Sequence, residues 1–176
     1  MKPAEAYAAL IDDMKQTALL GSIGSVIGWD EHTYMPPRGA DLRARQTALL
    51  AGMIHERLTA PRIEEWLGAC EGSELVADPT CDAAVNVRET RRSYDRARKL
   101  PAALVREMAS LAVLAQQAWA EARKAARFAD FLPWLRKTVD LKKQEAACYG
   151  HDGNPYDALL ESYEPGARAE QLKAVF

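Results

Sequence analysis

Gly28-Trp29-Asp30-Glu31-His32-Thr33-Tyr34-Met35-Pro36-Pro37 decides how this chain turns back on itself. A long helical pattern runs into it and another runs out. A residue that precedes a proline is pushed out of the α region, and a proline has no N–H to donate, so Met35-Pro36-Pro37 sets a sharp corner between two helices. The expectation is that Trp29, Tyr34 and Met35 plug this corner. Asp30 and Thr33 are expected to accept hydrogen bonds from the first free amides of the outgoing helix. A buried Trp29 would make Trp29→Ala cost about 3–5 kcal/mol. The pair Asp30 and His32 could suggest catalysis, but a single imidazole supports that poorly, and turn chemistry of this kind is usually structural.

Upstream of the corner, Tyr7, Leu10, Ile11, Met14 and Ala18 recur at helical spacing from Ala4 onward. Gly21, Gly24 and Gly28 follow on the same helix. They match neither G-x-G-x-x-G nor a P-loop, and are expected to share a side on which another helix approaches closely. Downstream, a second helix is predicted over 40–58 with Leu42, Leu49, Leu50, Met53 and Ile54 on its apolar side. Thr59 reads as the N-cap of a third, from Pro61 to Glu71, ending at Gly72. Asp78-Pro79 announces a fourth over 81–99, and Pro101 opens a fifth with the stripe Leu104, Met108, Leu111, Ala115, Ala118 and Ala122.

After a break near Ala129, a sixth helix is predicted with Phe128, Leu132, Leu135, Val139 and Ala146 in phase, Phe131 and Trp134 widening that side, and Gly150 as C-cap. His151-Asp152-Gly153-Asn154-Pro155 is a turn. A short helix over 156–162 follows, whose Asp157 and Glu161 read as a solvated edge. A last helix carries Leu172, Val175 and Phe176, an apolar stripe that needs a cover. No stretch alternates with the period of a strand. The chain therefore reads as one all-α domain over residues 1–176, a bundle of about six to eight helices.

Several function classes recede on composition. The 176 residues carry a net charge of −2 and a pI near 6.0, so no overall field attracts nucleic acid or an anionic membrane. The fourth helix is rich in arginine from Arg88 to Arg98, but Glu89 and Asp95 are interleaved, which reads as a solvated face or a cleft wall. The uncharged run from Gln16 to Trp29 is shorter than the roughly 20 apolar residues a spanning helix needs. Three cysteines, Cys70, Cys81 and Cys148, have no Cys-x-x-Cys spacing. They point to a reducing compartment, and with no secretory signal pattern the cytoplasm is expected.

The run from Trp29 to Pro37 resembles the WDxxTxMP signature near the amino end of the carboxypeptidase Taq family of metallocarboxypeptidases, with Trp29, Asp30, Thr33, Met35 and Pro36 on the matching positions. Further segments resemble that family in order: Gly39-Ala40 with Arg43, Ala44 and Gln46; His55 to Thr59; Arg88 to Tyr94; Leu100-Pro101; Gln117 to Trp119; and Tyr156 to Gly166. The resemblance implies a mostly helical fold. It also implies hydrolytic release of C-terminal amino acids from peptides by an enzyme with zinc or cobalt, and admits a homodimer.

The family's metal sits on a His-Glu-x-x-His helix, which is absent here. At His55-Glu56-Arg57-Leu58-Thr59, Thr59 stands where the second histidine would be. No catalytic or metal-binding residue is therefore assigned to this chain, and no cofactor is expected in it. It reads as the amino-terminal region of such an enzyme, inactive alone, whose partner is the missing carboxyl-terminal catalytic region. The other reading is a self-standing, non-catalytic helical interaction protein derived from the same family.

Overall fold

The computed structural model describes residues 1–176. Eight helices follow one another: α1 (Pro3–Thr33), α2 (Ala40–Leu58), α3 (Pro61–Cys70), α4 (Asp82–Ala97), α5 (Ala102–Lys124), α6 (Phe128–Tyr149), α7 (Pro155–Leu160) and α8 (Ala169–Val175). The fold is all-α, as the periodicities require. A 3-10 turn over Glu74–Val76, which no sequence signal announced, bridges α3 and α4.

Start and stop signals shift by one to three residues. Ala60, not Thr59, caps α3, and the Thr59 hydroxyl donates back to the His55 carbonyl. Asp78 stops short of α4, accepting from the Thr80 amide and hydroxyl, while the Cys81 sulfur caps that helix. Gly150 ends α6 as expected, at φ +77°. The break before α6 lies at Ala126, in the left-handed region at φ +53°.

Two small cores hold the bundle. In the first, Leu10 of α1, Ile63 and Leu67 of α3, and Val87 and Tyr94 of α4 interdigitate. In the second, Leu104, Leu111 and Ala115 of α5 meet Leu141 of α6, flanked by Phe131 and Trp134. The face of α6 that packs is therefore the one carrying Phe131, Trp134 and Leu141. Phe128 and Val139, placed in the buried stripe by the sequence reading, are exposed.

Helix α2 joins the two cores, lying against both α1 and α5. A helix with neighbours on two sides needs small residues where backbones come near. Its buried positions are Ala44, Gly52 and His55, and a Cβ on Gly52 would meet Arg106 Cδ at 3.0 Å. Leu42, Leu49 and Met53, expected on the apolar side, project into solvent on a third face. Of the α1 glycines only Gly24 meets a neighbour, its Cβ position lying 3.3 Å from Leu50 Cδ2, whereas Gly21 and Gly28 face open space.

Candidate functional site

The α1–α2 corner is polar in its fastening and bare on its outside. The Tyr34 and Met35 amides both donate to the Asp30 carbonyl, and the Gly39 amide to the Pro36 carbonyl. A side chain at Gly39 would strike Met35 Cγ at 2.9 Å and the Pro36 carbonyl at 3.0 Å, so the turn closes only around glycine. The Asp30 carboxylate takes the Arg43 guanidinium in an ion pair. Arg43 also donates to the Ile27 carbonyl, 2.6 Å away, and so clamps the end of α1 to the start of α2.

The five signature residues thus differ in role from the expectation. Asp30 caps nothing and instead receives Arg43; Thr33 donates its hydroxyl back to the Trp29 carbonyl at 2.7 Å. Trp29 does not plug the corner. It is 58% exposed and makes an edge contact with Tyr34, also exposed, at a centroid distance of 5.3 Å. Met35 is half-buried against the turn, and Pro36 is exposed. The large cost expected for Trp29→Ala falls with Trp29's burial. Sequence reasoning missed Arg43 as the partner that gives Asp30 its role.

Farther down the α1–α2 pair a second polar node is built on a buried carboxylate. Asp13, 8% exposed, receives Arg57 of α2 at 2.8 Å and Arg62 of α3 at 3.0 Å. Arg57 also donates to Thr17. One carboxylate therefore ties three helices together. Its signal was an acid at the buried phase of an apolar stripe, which the stripe reading passed over.

The arginines of α4 are cross-braces and not a free basic face. Arg91 reaches Glu71 and Glu64, and its donation holds the Glu64 carboxyl below its usual range. Arg92 donates to the carboxylate and carbonyl of Glu161. Arg96 donates to the Ala158 carbonyl and Ser162 hydroxyl and lies 3.6 Å over the Tyr149 ring. Asp157 and Glu161 are therefore not a solvated edge. Asp157 accepts the Ala169 amide at the start of α8. Glu161 accepts the Gly166 amide, which, with Arg92 beside it, depresses its pKa.

Between α2, α4 and α7 lies a cavity of about 560 Å³. Ile54, Leu58, Leu100 and Val105 form its apolar wall, and Arg92, Arg96, Glu161 and Ser162 its polar one. His55 stands between them, 8% exposed. Burial pushes its pKa below the ordinary histidine value, against the Leu100 carbonyl, which favours the proton. His32 and His151 are exposed and lie in other segments. No three His, Cys, Asp or Glu side chains converge as a metal-ligand set.

Residues 9–176 match the family model of the carboxypeptidase Taq (M32) metallopeptidases. The chain belongs to that family. It is 45% identical to thermostable carboxypeptidase 1 of Thermus thermophilus, an alignment that covers all of this chain and 36% of that protein. The solved structure of an M32 carboxypeptidase from Deinococcus radiodurans, 33% identical, covers 97% of this chain and 34% of its own at a TM-score of 0.76. The BsuCP crystal structure superposes over the same 97% and 34% with a TM-score of 0.90 at 26% identity. The chain thus spans about a third of the length of these M32 relatives. The metal that the family's name implies finds no ligand set among the residues of this third.

Proposed function

We propose that this chain is the amino-terminal helical region of a cytoplasmic M32 metallocarboxypeptidase, which releases C-terminal amino acids from peptides with zinc or cobalt held by a separate catalytic region. Its own helices serve as scaffold and as one wall of the substrate cleft. They contribute no reacting group.

The observation that carries this reading is surface left uncovered. The chain exposes 11273 Å², whereas a self-contained monomer of its 19.5 kDa exposes about 8,500 Å². The excess of about 2,700 Å² is several times the roughly 800 Å² that each partner contributes to a standard protein interface. A homodimer of this chain would leave most of it bare, while a further large region of the same protein would cover it. Two apolar stripes left exposed support this reading: Leu19, Ile23, Val26 and Trp29 on α1, and Leu42, Leu49 and Met53 on α2.

The test is a chimera in which this chain replaces the matching third of the Thermus thermophilus relative. Chelator-sensitive release of C-terminal residues from a peptide is the expected result. A chimera that unfolds cooperatively yet releases nothing, beside an active parent carrying the same junction, would overturn the reading.

A further inference from the structure

The polar wall of the His55 cavity also braces α4 against the end of α7, and the two walls of the cavity differ in chemistry. The α2 side offers Ile54 and Leu58 and is continued by Leu100 and Val105, a surface that water wets poorly. The opposite side carries two guanidiniums and one carboxylate, so that with His55 held neutral the lining keeps one uncompensated positive charge. Arg96 spends a single nitrogen, Nη2, on Ala158 and Ser162. Its Nε and Nη1 hydrogens remain for another acceptor, and stacking on Tyr149 at 3.6 Å fixes the plane in which they point. Planar guanidinium donors in a fixed orientation suit a carboxylate better than a spherical anion.

From this arrangement we infer that the cavity bounded by Ile54, His55, Leu100 and Arg96 is a binding site for a small branched apolar carboxylate, of the kind represented by a free apolar amino acid. The carboxylate lies on Arg96, and the branched chain covers Ile54, Leu58 and Val105. The imidazole of His55 forms the floor between the two. Where the ligand carries an α-ammonium group, Glu161 and the Ser162 hydroxyl are the acceptors on the same wall. The cavity's volume exceeds that of such a ligand, and the mouth stays wet. Every lining residue of the site belongs to this chain.

The experiment uses the 176-residue chain and follows its histidine ring resonances during titration with three probes: L-leucine, 4-methylpentanoate and L-leucinamide. Saturable shifts confined to His55, with dissociation constants of about 0.1–10 mM as suits ligands of this size, are expected for leucine or 4-methylpentanoate. Leucinamide, which lacks the carboxylate, should leave the ring unmoved. Saturation by both carboxylates assigns the site to apolar carboxylates in general. Saturation by leucine alone assigns it to amino acids, through Glu161.

Arg96→Met should weaken binding at least tenfold. Because that change also loosens α7, Ala51→Leu, which fills the cavity without touching a charge, should abolish the shifts in a chain of unchanged helicity. No saturable shift with either carboxylate, equal saturation by leucinamide, or binding retained in Ala51→Leu would each overturn the assignment.

Discussion

The two halves of α1 carry apolar residues at the same helical spacing and meet opposite fates. In the first half, Leu10 is sealed beneath α3 and α4, and Asp13 and Thr17 continue the sealed side toward Arg57. In the second, Leu19, Ile23, Val26 and Trp29 stand in solvent on the side turned away from α2. A stripe of apolar residues states that a face needs a cover. It does not state whether the cover comes from nearby in the chain, from a distant region or from another molecule. Here α3 and α4 cover the first half, and nothing within residues 1–176 reaches the second.

That contrast can be broken by substitution. Leu10→Ala should cost about 2–5 kcal/mol, since the side chain is 0% exposed and its removal leaves a cavity among well-packed neighbours. A shift in the denaturant midpoint measures it, and a loss under 1 kcal/mol would mean that the first core is loosely packed. Asp13→Ala should cost about 2 kcal/mol. It strands Arg57 and Arg62, though both are partly solvated, which softens the penalty known for fully buried pairs. The same midpoint reports it, and Arg62→Ala should cost less, because Arg62 is the more exposed partner.

A third test uses pH. His55 has its proton affinity lowered in the folded state, so between its folded pKa and the ordinary value near 6.5 the unfolded chain binds more protons than the folded one. Stability is full above 6.5 and falls as pH drops through that window. His55→Gln should flatten this part of the pH profile, and an unchanged slope would mean that His55 is protonated in place. The smallest effect is expected at the bare end of α1. Trp29→Ala should change stability by no more than about 0.5 kcal/mol, as for other exposed positions. A loss of several kcal/mol would show that the exposed face is covered in solution.

Much of the fold was legible because prolines, capping residues and 3.6-residue periodicity act locally. The corner at Met35-Pro36-Pro37, the starts of α3 and α5 at Pro61 and Pro101, and the end of α6 at Gly150 all follow from backbone chemistry that needs no tertiary partner. Which face is buried depends on neighbours, and there the reading slipped. In α2 the large Leu42, Leu49 and Met53 yielded the inside to Ala44, Gly52 and His55, since a helix wedged between α1 and α5 needs small side chains where the backbones come near. In α6 the packing face is the one set by Phe131 and Trp134, the widest groups available to fill against α5.

The candidate sites were less legible still. Asp30 with Arg43 and Asp13 with Arg57 join residues far apart in sequence, and no local pattern announces such pairs. The cavity at His55 gathers residues from five helical segments and their ends. The family signature, by contrast, was readable as residues and misread as packing: Trp29 belongs to the outer surface, where family membership alone does not say what covers it.

The central claim is that this chain, which spans about a third of the length of its M32 relatives, carries structure without the reacting groups. It is tested most directly by incubating the purified 176-residue chain with a peptide and added zinc or cobalt, and measuring free C-terminal amino acids over time. The expected result is no release above the metal-only blank, from a chain whose cooperative unfolding shows that it is folded. Metal-dependent release that a chelator abolishes would contradict it, and would place an active site among residues 1–176.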